Sequence, residues 1–139
     1  MHTIVQPEGW TRPKGYSNGI LVEGKLLFVA GQVGWNEREE FESDDFVKQA
    51  GQALKNIVAV LDKGGAKPEH IARMTWYVTS NAEYLEHLAE IGKVYKSIIG
   101  PHYPAMTLVQ VAGLFEAGAK LEIEVTAVIP GRPREPATD

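Results

Sequence analysis

Two carboxylates stand at alternate positions, Glu122 and Glu124, in the run Leu121–Ile129. In a strand, residues two apart point to the same side. Leu121, Ile123, Val125, Ala127 and Ile129 then share one face, and Glu122, Glu124, Thr126 and Val128 the other. A carboxylate at the rim of a cleft can take a proton or orient a water for attack. The same alternation also describes an ordinary solvated face, and the pattern alone favours that reading. Other chemistry is scarcer. The chain has no cysteine, which removes thiol nucleophiles, thiolate metal sites and disulfides. His2, His70, His87 and His102 lack paired ligand spacing, so no metal site is expected. Glu83, Glu86, His87 and Glu90 cluster on one predicted helix and read as a solvated charged face. Gly64-Gly65 reads as a helix stop, with no GxxxxGK[ST] pattern around it, and Gly113–Gly118 as a turn.

The elements that would carry these residues follow from periodicity and turn chemistry. Met1–Gly19 is Pro- and Gly-rich and reads as loop, with a short strand near Thr3–Gln6. Ile20–Glu23 and Leu26–Ala30 flank Gly24-Lys25, which predicts a hairpin closed off by Gly31. Asn36–Glu42 reads as loop. Ser43 is the expected N-cap of a helix with Asp44 and Asp45 in its first turn. Phe46, Ala50, Ala53, Leu54, Ile57, Val58 and Leu61 recur at helical spacing, up to Gly64 or Gly65. Met74–Thr79 is β-branched and aromatic and reads as a strand. Asn81 is the expected cap of a second helix, with Leu85, Leu88, Ile91 or Gly92, Tyr95 and Ile99 as its stripe and Gly100-Pro101 as its stop. Thr107–Val111 and Leu121–Ile129 complete the strands. The order predicts an α+β domain over residues 1–130, with two helices on one face of a mixed sheet. Residues 131–139 read as a mobile tail.

The totals fit a single soluble domain. There are 139 residues, 44% hydrophobic and 23% charged, with a net charge of −4. The acidic balance argues against a nucleic-acid partner. No apolar run reaches the roughly 18 residues of a membrane span, and the N-terminus lacks a signal-peptide pattern. A cytoplasmic protein is the expectation. In Leu26–Ala30 both alternating sets are apolar: Leu26, Phe28 and Ala30 on one side, Leu27 and Val29 on the other. Helices can cover only one of these faces, so the other is expected to meet further copies of the chain.

Five segments in order resemble the Rid (YjgF/UK114) family. They are Gly15-Tyr16-Ser17-Asn18-Gly19, Phe28–Val33, Gln49–Ile57, Tyr103-Pro104-Ala105 and Leu121–Ala127. Together they span nearly the whole chain apart from the tail. The resemblance implies a chorismate-mutase-like fold and a homotrimer with a central β-barrel, helices outside and small-ligand clefts between subunits. It also implies cofactor-free hydrolysis of reactive enamines and imines, such as 2-aminoacrylate, to a keto acid and ammonia. By the same likeness, Glu122 is expected to hold the hydrolytic water, Tyr16 to assist, and Gly31 to let the chain approach the ligand. Met106 stands where such proteins carry an arginine that grips the substrate carboxylate in a bidentate pair, which methionine cannot make. Gly92 falls where the deaminating members often have asparagine. Thr107, Trp35 and His102 are further expected cleft residues.

Two functions follow from the resemblance. One is a deaminase of an enamine or imine other than 2-aminoacrylate, for instance one resembling 2-aminomuconate. The other is a non-catalytic member that binds a small metabolite or a protein. Ribonuclease activity, also attached to the family, is disfavoured by the acidic charge and the lack of a basic aromatic groove.

Overall fold

A computed structural model of the chain describes residues 2–131. The main sheet has four strands: β3 (Lys25–Val33), β4 (Ile71–Val78), β5 (Ala105–Gln110) and β6 (Leu121–Ile129), in the order β3-β6-β4-β5. The pair β4–β5 is parallel and the other two pairs are antiparallel, so the sheet is mixed as expected. One face is covered by α1 (Phe46–Lys63) and by α2 (Asn81–Glu86) with α3 (Leu88–Ile98). The core between them joins Leu54, Ile57 and Leu61 of α1 to Met74, Trp76 and Val78 of β4 and Leu121, Ile123 and Val125 of β6. The alternation read from Leu121–Ile129 is therefore the alternation that packs.

Several local expectations are corrected. Ile20–Glu23 does not form a hairpin with Leu26–Ala30. Instead β2 (Gly19–Leu21) pairs antiparallel with β1 (Thr3–Val5) as a separate two-stranded sheet, and β3 pairs with β6. Gly24 carries the chain from one sheet to the other at φ +149°, packed so closely on Ile129 that a Cβ would lie 2.0 Å from its carbonyl oxygen. Only glycine fits there. Gly31 does not end its strand either. β3 runs on to Val33 through a register shift between Val29 and Gln32.

The caps also move. Asp45, not Ser43, is the N-cap of α1, its carboxylate accepting from the Lys48 N–H at 3.0 Å, while Ser43 Oγ accepts from the Asp45 N–H. Ser80, not Asn81, caps α2 by accepting from the Glu83 N–H. The second helix is broken at His87, whose ring stacks on Phe46 with centroids 6.3 Å apart. The charged cluster on this segment is not wholly solvated: Glu83 accepts from Lys120 Nζ at 3.2 Å. Pro68–His70 forms one turn of 3-10 helix ahead of β4. Of the predicted tail, all but Gly131 lies outside the described residues.

Candidate functional site

The parallel edge of the sheet ends in a cavity of about 900 Å³. Its floor is Trp76 of β4 with Met106 and Leu108 of β5, which point to the helical side because they pair across the strands with Met74 and Trp76. Its helical wall is Leu85 of α2 with Leu88, Ile91 and Gly92 of α3. The break at His87 lets both short helices contribute to this wall. The remaining side is the Lys14–Tyr16 segment. Ser17 holds that segment to the start of β5, donating its N–H to the Pro104 carbonyl at 3.0 Å and its Oγ–H to the Tyr103 carbonyl at 2.6 Å. Gly15, at φ +78°, makes the bend that brings Tyr16 alongside.

Aromatic rings frame the space. Tyr103 stacks on Tyr95 with centroids 5.7 Å apart, and the Tyr95 hydroxyl donates to the His102 carbonyl at 2.5 Å. Tyr84 stands edge-on to Trp76 at 5.9 Å. Burial raises the Tyr84 hydroxyl above its ordinary value, and burial with Tyr103 nearby raises that of Tyr95, so both stay neutral phenols. The Trp76 side chain is buried, and its indole N–H has no acceptor among the described residues. Among the described residues, Lys14 is the one cation of the lining, and no carboxylate belongs to it.

The opposite face of the sheet is open. Glu122 and Glu124 both lie on it, across from Tyr77 and Thr75 of β4. They are not equivalent. Glu124 accepts from the Tyr77 hydroxyl at 2.5 Å, a bond that raises the Tyr77 hydroxyl above its usual range. Glu122 has no such partner among the described residues and extends over Gly31, where a Cβ would come within 2.6 Å of its Oε1. The missing side chain at Gly31 thus makes room for a carboxylate of the same subunit.

The expected site residues therefore divide. Tyr16 and Met106 share the cavity. Glu122, Gly31 and Thr107 lie on the other side of the sheet, Thr107 being opposite Thr75 on the edge strand. Trp35 packs on Phe41 at 5.6 Å and gives its carbonyl to Asn56, and His102 gives its carbonyl to Tyr95; neither side chain is in the lining. Sequence reasoning did not place Tyr84, Tyr95, Tyr103 or Trp76 at a site. Leu85 and Leu88 offered a signal, since they extend an apolar stripe yet remain 65% and 52% exposed.

Comparison with known proteins places this geometry. The family model described as endoribonuclease L-PSP matches residues 10–129. A RutC family protein of Aquifex aeolicus is 34% identical over 128 residues, 92% of this chain and 99% of that protein. The 2-iminobutanoate/2-iminopropanoate deaminase of Salmonella typhimurium is 29% identical over 76% of this chain and 80% of its own length. A Yersinia pestis protein of unknown function from the conserved Rid family, YyfB, superposes with a TM-score of 0.79 at 30% identity, covering 92% of this chain and 98% of that one. With an ordered match over nearly its whole folded length and the same mixed-sheet fold, the chain belongs to the Rid (YjgF/UK114) family.

Proposed function

We propose that the protein hydrolyses an imine or enamine to a carbonyl compound and ammonia, in a cleft that two copies of the chain complete. The observation that carries this reading is the division of the site. Tyr16 opens into an apolar cavity on one side of the sheet, and Glu122, a carboxylate without a hydrogen-bond partner among the described residues, stands on the other. One subunit cannot bring both to one substrate. A second copy, docked by its open face, can set its Glu122 at the mouth of the first copy's cavity. The Salmonella relative named as a 2-iminobutanoate/2-iminopropanoate deaminase supports the reaction class.

The steps need only water and these side chains. The water oxygen bonds to the carbon of the C=N group as Glu122 accepts its proton. Glu122 passes that proton to nitrogen, giving an amino alcohol; it then moves the hydroxyl proton to nitrogen as the C–N bond breaks, so that ammonia leaves and a C=O bond remains. Tyr16 donates a hydrogen bond to the polar end of the substrate. No cofactor takes part. Met106 sets the limit on substrate: without a guanidinium at that position, a small carboxylate loses a charged partner worth about 2–5 kcal/mol.

The test is ammonia release from imines formed in place, by the parent, Glu122→Gln and Met106→Arg proteins. The parent is expected to be slow on 2-aminoacrylate and faster on a larger imine. Glu122→Gln should lose most of the rate, and Met106→Arg should gain on 2-aminoacrylate. Fast parent turnover of 2-aminoacrylate would remove the role given to Met106. An undiminished Glu122→Gln rate, or no hydrolysis of any imine, would overturn the reading. The second outcome would favour a binding protein, which the replacement of arginine by Met106 also suits.

A further inference from the structure

We infer that the cavity is built for a ligand with a single carboxylate and a large aromatic or branched aliphatic group, which for the proposed reaction means the imine of a bulky 2-amino acid. This rests on the reading of the cavity as the substrate site, and it names the substrate class. The lining is apolar along both long sides, with Leu85, Leu88 and Ile91 facing Met106, Leu108 and Trp76. Pockets of this kind take ligands of drug-like size and select by a few polar groups. A methyl side chain would leave most of this apolar lining uncovered. A phenyl or isobutyl group can lie against the leucines and the aromatic rings.

Charge restricts the class further. Among the described residues Lys14 is the only cation in the lining, it lies on the exposed segment beside Tyr16, and no carboxylate of those residues pairs with it. One carboxylate at the mouth finds one ammonium. A second carboxylate, carried at the far end of a dicarboxylate, would lie against Leu88, Ile91 and Leu108 with only neutral donors such as Asn81 and Tyr84 in the lining and no second cation among the described residues, which apolar surroundings disfavour. The larger substrate suited to the Met106 pocket is therefore a monoanion, not a dianion of the 2-aminomuconate kind.

The keto acids that hydrolysis would release are stable and serve as probes of binding without turnover. Phenylpyruvate, 4-methyl-2-oxopentanoate, pyruvate and 2-oxoglutarate are titrated by calorimetry into the parent, Lys14→Gln and Leu88→Asp proteins. Leu88 is half exposed, so its replacement leaves the fold intact, and circular dichroism checks this. Phenylpyruvate and 4-methyl-2-oxopentanoate should bind at least about tenfold tighter than pyruvate or 2-oxoglutarate, as hydrophobic pockets discriminate by such factors. Lys14→Gln should weaken both bulky acids several-fold and flatten their dependence on salt. Leu88→Asp should abolish the preference over pyruvate. Equal affinity for pyruvate and phenylpyruvate, tightest binding of 2-oxoglutarate, or no binding of any of the four at millimolar concentration would overturn the inference. Tight phenylpyruvate binding without hydrolysis of its imine would sink the deaminase reading and leave the ligand class standing. Rapid hydrolysis of small imines with no preference for bulky acids would do the reverse.

Discussion

Gly92 lies in the helical wall of the cavity, and a Cβ built on it would meet nothing within 4 Å. It sits inside α3, where glycine is about 0.5–1 kcal/mol less favourable than alanine. Gly92→Ala should therefore raise stability by about that amount in urea denaturation, and a larger side chain at the same position should cost affinity for bulky ligands. A destabilised Gly92→Ala would mean that the cavity is filled by the protein itself in solution. At this scale the sequence was informative about residue type and less so about direction. The likeness to the family drew attention to Met106, Tyr16 and Glu122, and Tyr16 and Met106 do meet in one cavity. Adjacent strand residues point to opposite sides, so Met106 and Thr107 could never have lined one cavity of one subunit. Strand alternation alone carries that conflict. The sharing of the wall by Tyr84, Tyr95 and Tyr103 was not legible in the sequence, because it depends on how two short helices turn against the sheet.

At the scale of elements, Gln49 shows what periodicity cannot reveal. It is a buried polar residue on the core side of α1, 1% exposed. Its Nε2 donates to the carbonyls of Ser43 and Gly118, each at 3.0 Å, and its Oε1 accepts from the Lys120 N–H at 2.9 Å. One side chain thus ties the start of α1 to the loop that leads into β6, and so sets where Glu122 begins its run. Removing a buried partner leaves these groups unsatisfied. Gln49→Ala should cost about 2–3 kcal/mol in chemical denaturation, with the Lys120 amide exchanging faster with solvent. An unchanged midpoint would show that water replaces the amide without loss. Helix α1 itself was legible from its apolar spacing. Two of the three partners of Gln49 lie 69 and 71 residues away, beyond any local pattern. The failed hairpin has the same origin. Its turn residues were locally suitable, but β3 gains a nine-residue partner in β6, where β2 offers only three residues.

For the molecule as a whole, the proposed reading ties assembly and activity to the open face of the sheet. Phe28 is 73% exposed and Leu26 62% exposed, on the side that the helices leave bare. The alternation of Leu26–Ala30 predicted one such surface, and β3 presents it. Large apolar side chains set side by side on a sheet face mark an association surface, and the family resemblance makes three copies the expectation. The same face also bears Glu122. On the proposed reading, docking of this face serves twice, once to cover Phe28 and once to deliver the carboxylate to a neighbour's cavity. Phe28→Asp should dissociate the assembly, moving the sedimentation coefficient from that of three chains to that of one, because a carboxylate buried at the contact has no partner. Ammonia release should fall with dissociation, and activity should depend on protein concentration in a weaker variant such as Phe28→Ala. Keto-acid binding in the cavity should outlast catalysis, since Lys14, Leu88 and Met106 all belong to one subunit. A parent protein that sediments as a single chain while hydrolysing imines at full rate would break this link, because the cavity and Glu122 lie on opposite sides of the sheet that separates them.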